Sequence, residues 1–177
     1  MVAYIKAMSK TLYLLRHAKA DNKVDYHDDH EKPLAKRGVK DCVGIAQHLE
    51  QSACGLPQLM LVSDALRTMQ TAQHVLEVLP KEQNIQLEQR PDLYLSTPGE
   101  MLKALATVPA DVDSVMLVAH NPGTHQLAVF LAGQPTPVSQ ELFMRFPTGS
   151  LITFTVDADN WKTLDSSVCT CKAVYFP

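Results

Sequence analysis

Thr11-Leu12-Tyr13-Leu14-Leu15-Arg16-His17 is a short, mostly apolar run that stops abruptly in a cation and an imidazole. Its length suits a buried strand, since apolar runs of four to eight residues read that way. Two later runs repeat the design. Leu59-Met60-Leu61-Val62 is followed by Arg67 at the opening of a helical pattern, and Val115-Met116-Leu117-Val118-Ala119 ends in His120. Amphipathic stretches lie between these runs, and such alternation predicts an α/β fold with a mostly parallel sheet. Ligands of open α/β sheets bind at the carboxyl ends of the strands. Arg16, His17, Arg67 and His120 are therefore expected to converge, although they lie far apart in the chain.

The helices follow from periodicity and punctuation. Val39, Cys42, Val43, Ala46 and Leu49 recur at helical spacing, and Ala65, Met69, Ala72, Leu76 and Leu79 form a second stripe that Pro80 ends. Thr97-Pro98-Gly99-Glu100 carries a capping-box pattern with proline at its favoured first position. The helix after His120 is expected to stop at Gly133. Leu151–Val156 and Ala173–Phe176 read as later strands of the same sheet. Nothing in the pattern splits the chain, so residues 11–177 are expected to form one domain behind an extension of residues 1–10.

Composition narrows the function classes. Of 177 residues, 46% are hydrophobic and 20% charged, and the formal net charge is -3. A globular protein fits this balance. No overall basic field recruits nucleic acid or an acidic membrane, so an anion site must be local. No run has the length of a membrane span and the start lacks a signal-peptide core, which leads to an expected cytoplasmic location. Cys42, Cys54, Cys169 and Cys171 lack zinc spacing and read as reduced structural thiols. The pattern assigns no oligomeric state.

Two arginines and two histidines at one sheet edge suit phosphoryl transfer, which needs an in-line nucleophile and positive charge around the equatorial oxygens. An Arg-His pair alone would occur roughly 0.4 times by chance in a chain this long and carries little weight. The flanking residues carry more. Leu14-Leu15-Arg16-His17-Ala18-Lys19-Ala20-Asp21, Lys32-Pro33-Leu34-Ala35-Lys36-Arg37-Gly38, Val62-Ser63-Asp64-Ala65-Leu66-Arg67-Thr68 and Val118-Ala119-His120-Asn121-Pro122-Gly123 together resemble the histidine phosphatase superfamily. Within it they are most similar to the short SixA-type phosphohistidine phosphatases.

The resemblance implies a three-layer α/β/α fold of the phosphoglycerate-mutase type and an enzyme without metal or other cofactor. It makes His17 the nucleophile, with Arg16, Arg67 and His120 as the phosphoryl pocket. The implied partner is a phosphohistidine-containing protein. Many ester-cleaving members carry a glutamate in a Leu-x-Glu-x-x-x-Gly stretch; here Leu93-Tyr94-Leu95-Ser96-Thr97-Pro98-Gly99 aligns with it, and Leu95 stands in the acid's place. An alkoxide leaving group needs a proton donor, whereas imidazole leaves a phosphoramidate readily, so this departure favours an N-phosphorylated substrate. Asp21, Asp29 and Asp92 remain as substitute acids. A phosphatase of small phosphate monoesters on the same site is the alternative, and a phosphoprotein-binding module with little turnover is the third reading.

Three further residues are candidates for substrate binding. Ser63 and Asn121 either hydrogen-bond inside the pocket or cap the following helices. Lys32 stands where the superfamily has arginine in an Arg-Pro-Leu motif, and either supports the phosphate or is an exposed cation. His27-Asp28-Asp29-His30-Glu31 has no helical ligand spacing and reads as a solvated acidic loop. His48, His74 and His125, together with Arg37, Arg90 and Arg145, read as ordinary helix-face or surface residues.

Overall fold

The computed structural model of this chain describes residues 9–23 and 25–177. The leading residues 1–8 of the expected extension lie outside the described residues. Lys10, placed in that extension by the sequence reading, instead opens the first strand. Its buried ammonium donates to the carbonyls of Ala110 and Val112 and pairs with Asp113 at 3.0 Å.

Among the described residues, six strands form one sheet: β1 (Lys10–Arg16), β2 (Leu59–Ser63), β3 (Gln86–Arg90), β4 (Ser114–Ala119), β5 (Leu151–Val156) and β6 (Cys169–Tyr175). Their order is β3-β2-β4-β1-β5-β6. The first four are parallel to one another, while β5 and β6 run antiparallel to their neighbours. Side chains alternate across a strand, so each run feeds two cores. Leu12, Leu14, Leu61, Leu117 and Phe154 face α3 (Pro98–Ala106) and α4 (Gly123–Ala132), whose Met101, Leu105, Leu127 and Leu131 cover them. Tyr13, Leu15, Met60, Val62 and Met116 face α1 (Lys36–Glu50) and α2 (Leu66–Val78) through Cys42, Ile45, Ala72 and Val75. The result is the three-layer α/β/α arrangement. Among the described residues, no helix is long and apolar enough to cross a membrane.

Several expected elements stand as read. The capping box of Thr97 and Glu100 is formed in full, and Gly133 ends α4 in the left-handed region at φ 67°. Others differ for physical reasons. Strand β3, Gln86–Arg90, was not expected: it is a polar edge strand paired only with β2, so no apolar run announces it, and its charges blunt the open edge. Strand β6 starts at Cys169, before the expected Ala173.

The expected stripe of α2 packs inward, with Ala65, Ala72 and Leu79 buried and Met69 and Leu76 against the core, and in α1 Cys42, Ala46 and Leu49 are buried as read. Val39 and Val43 are exposed and Ile45 is buried instead. In α2 the inward face carries Arg67, Thr68, Thr71, Ala72 and Val75. Hydrophobic periodicity does not pick out Arg67, Thr68 and Thr71, because these three are polar. Each has work on the inside: the Thr68 hydroxyl donates to the Ser63 and Ala65 carbonyls, and Thr71 Oγ1 receives the Ala18 amide at 3.0 Å.

Candidate active site

Register brings the strand ends together. Arg16 lies opposite Ala119 across the β1–β4 pair, and the His17 amide donates to the Ala119 carbonyl. His17 and His120 thus leave adjacent parallel strands at the same level, with ring centroids 5.2 Å apart. Ser63 ends β2 on the other side of β4, and Arg67 follows in the first turn of α2. After His120, α4 passes so close to the Ser96 carbonyl that any Cβ at Gly123 would collide with it. A glycine is required by that close approach.

The four residues line or border one cleft. Arg16, His17, Lys19, Ala20, Asn22, Asp29, Lys32, Arg67 and Thr148 surround about 220 Å3. His120 is buried behind His17 and Arg67. Four cationic side chains thus face a single carboxylate among the described lining residues.

Hydrogen bonds fix both imidazole tautomers. His17 Nδ1 lies 2.8 Å from the Ala18 carbonyl. A carbonyl only accepts, so Nδ1 carries the proton and Nε2 presents a lone pair; Nε2 has no protein partner among the described residues. For His120, the Arg67 guanidinium can only donate, and its NH2 nitrogen is 3.3 Å from Nδ1. Nδ1 is therefore the acceptor, and Nε2–H donates to Ser63 Oγ at 2.8 Å.

Electrostatics agree with the tautomers. Burial, reinforced by Arg67 and Arg16, brings the His17 pKa from the ordinary 6.5 to about 4, against a smaller opposing effect of the Ala18 carbonyl. Burial, then His17 and Arg67, bring His120 to about 3. Both rings are neutral in the free site at neutral pH. The sign of the resulting pH dependence is definite: the unfolded chain binds these protons more tightly, so stability is complete above about 6.5 and falls as pH drops toward 4 and 3. Thermal unfolding between pH 4 and 7 should show this decline, and His17→Gln should flatten it. Parallel wild-type and variant curves would contradict the assignment.

The arginines are held differently. Arg16 donates from NH1 to the Phe146 carbonyl at 2.6 Å, while its buried Nε has no partner among the described residues and is a ready donor. Arg67 donates from NH1 to the Asp29 carbonyl at 2.5 Å and from NH2 to the Asp29 carboxylate at 2.9 Å. Asp29 also pairs with Lys32 at 3.0 Å and accepts from the Tyr94 hydroxyl at 3.1 Å. Lys32, Arg67 and Tyr94 hold its carboxyl at about 2.

These contacts settle where the remaining candidates sit. Ser63 and Asn121 do not cap the helices: the positions before α2 and α4 are Ala65 and Pro122. Ser63 instead anchors His120, and Asn121 donates from Nδ2 to the same Phe146 carbonyl that receives Arg16, at 3.3 Å. Lys32 lines the cleft.

The acidic loop is exposed as read at His27, Asp28, Asp29 and Glu31, but it also contributes to the site. Asp29 enters the cleft, and His30 pairs with Asp64 at 2.9 Å, because two cations and a phenol are available there to compensate the carboxylate. As a substitute acid Asp29 is in reach but ionised, whereas Asp92 is taken by Arg90 at 2.7 Å and the Asp21 carboxylate accepts the Lys23 amide. Arg90 is no isolated surface charge, since it ties Glu88, Asp92 and Thr107 together. His74 pairs with Glu77, His48 stacks on Tyr175 and His125 on Phe146. All four cysteines are free thiols.

Two residues of the site escaped the sequence reading. Tyr94 packs edge-on against His120 at 5.3 Å and lies beneath Arg67. The next residue, Leu95, takes a left-handed turn at φ 48° and leaves its side chain exposed, in the place that the resemblance gives to a glutamate in ester-cleaving members. Thr71 fixes the main chain just after His17. The sequence signal for Tyr94 was its place beside Leu95 in the aligned stretch; for Thr71 there was none. Among the described residues, no cluster of three or more His, Cys, Asp or Glu side chains is arranged to hold a metal ion.

Comparison with known proteins gives the same picture. Residues 12–94 match the histidine phosphatase superfamily (branch 1). The solved structure of SixA from Nakamurella multipartitia, provisionally assigned as a phosphohistidine phosphatase, superposes with a TM-score of 0.80 at 27% identity over 96% of each chain. SixA from Agrobacterium tumefaciens, with the same provisional assignment, gives 0.78 at 25% identity over 95% of this chain and 98% of that one. An uncharacterized protein of Mycobacterium tuberculosis (strain H37Rv) is 27% identical over 169 residues, 92% of this chain and 99% of its own length. Motif order, sheet register and these likenesses agree along nearly the whole chain, which matches the histidine phosphatase superfamily model over residues 12–94 and is similar in fold to a SixA structure over 96% of its length.

Proposed function

We propose that this protein is a phosphatase that hydrolyses the P–N bond of phosphohistidine on a phosphorylated protein, through a covalent phospho-His17 intermediate. The observation that carries the reading is a neutral His17 whose Nδ1 proton is fixed on the Ala18 carbonyl and whose Nε2 lone pair stands free at a cleft lined by Arg16 and Arg67. Attack by Nε2 on phosphorus forms a new P–N bond and expels the substrate imidazole; water then cleaves the phospho-enzyme and releases phosphate. Arg16 and Arg67 bind the equatorial oxygens with forked donors. The incoming dianion raises the pKa of His120, which then adds charge stabilisation from behind.

Substrate choice rests on the missing acid. Leu95 cannot donate a proton, and Asp29 is held ionised by Lys32 and Arg67. An alkoxide leaving group would forgo general acid catalysis, typically worth about 10²–10⁴-fold. Imidazole needs less help. Parallel turnover of a phosphohistidine-containing protein and a simple phosphate monoester, with chelator present, tests the reading. Fast cleavage of the N-phosphorylated substrate alone is expected. Faster ester cleavage would turn the assignment to small esters, and no turnover of either would favour a binding module.

A further inference from the structure

The Arg67 side chain is only 6% exposed and spends its donors inside the protein before any substrate arrives. A guanidinium has five N–H groups. One goes to the Asp29 carbonyl, one to the Asp29 carboxylate and one to His120 Nδ1. Both terminal nitrogens are engaged, and these are the atoms that grip an anion in bidentate fashion. The partner they hold is itself an oxyanion. Asp29 is the only carboxylate among the described residues lining the cleft, and its side chain is half exposed at 51%. It can swing out to solvent, whereas Arg67 cannot.

We propose that Asp29 is an internal competitor for the phosphoryl group: its carboxylate occupies Arg67 in the free site, yields to the substrate oxyanion, and returns to speed release of product phosphate. The inference rests on the phosphoryl pocket proposed above. A carboxylate and a phosphate dianion within a few ångströms repel each other, even against four neighbouring cations. The buried guanidinium always has a counterion, so the empty site avoids an uncompensated buried charge. The Tyr94 hydroxyl and Lys32 hold Asp29 in register for its return. The outcome is a site that binds phosphate more weakly than its arginines alone would.

The test is binding of inorganic phosphate, and of tungstate as a second oxyanion, to the full chain and to Asp29→Asn and Asp29→Glu. Removing the charge should tighten phosphate by about tenfold, while Asp29→Glu, which keeps the charge, should stay near wild type. A purely structural role would weaken binding in both variants. Wild-type binding with equal or weaker affinity in Asp29→Asn would overturn the proposal and leave the phosphoryl pocket intact. Failure of the wild-type protein to bind either oxyanion would instead remove the pocket reading itself.

Discussion

His17→Ala is expected to abolish turnover, lowering kcat by about 10⁴-fold or more, as removal of a covalent nucleophile does. No neighbouring group can replace it. His120 is the nearest imidazole, yet its Nδ1 accepts from Arg67 and its Nε2–H donates to Ser63. Cys42 and Cys169 offer no thiolate, since burial pushes both up to about 12. The variant should still fold, because the main-chain bonds of residue 17 to Ala119 and Gly149 do not involve the ring. Single-turnover assays and quantitation of acid-labile phosphate on the enzyme provide the check. Turnover within tenfold of wild type, or phosphate still trapped on the variant, would place the nucleophile elsewhere.

Arg67→Lys should cost about 10²–10³-fold in kcat/KM while leaving the fold intact. The loss has two sources. An ammonium is a single point charge and cannot reproduce the fork that meets a phosphoryl group in two places. Nor can it reach the Asp29 carbonyl, the Asp29 carboxylate and His120 Nδ1 together, so the His120 tautomer loses its anchor. The change keeps the formal charge and therefore separates geometry from electrostatics. Steady-state kinetics with thermal unfolding as control will measure it; a decrease of less than threefold would show that charge alone suffices at this position.

The asymmetry between what was readable and what was not has a common cause. Arg16, His17 and His120 were legible because each ends an apolar run, and adjacent parallel strands end at one level. Arg67 was legible because it opens a helix after β2. Tyr94, Thr71 and the inward turn of Asp29 were not, since their roles arise from contacts between segments 38 to 65 residues apart. The same blindness left the polar part of α2's inner face unread: buried threonines and an arginine stand outside the apolar stripe on which periodicity depends. Strand β3 escaped because an edge strand with solvent beside it needs no apolar run.

The sequence by itself determined the α/β class and the four residues that converge, because hydrophobic patterning and strand ends are local properties of the chain; the three-layer order came from the family resemblance. Only the tertiary structure decided the protonation of the two histidines, the pairing of Arg67 with Asp29 and the orientation of Tyr94. Those depend on burial and on hydrogen-bond partners from distant segments, and neither exists until the sheet has assembled.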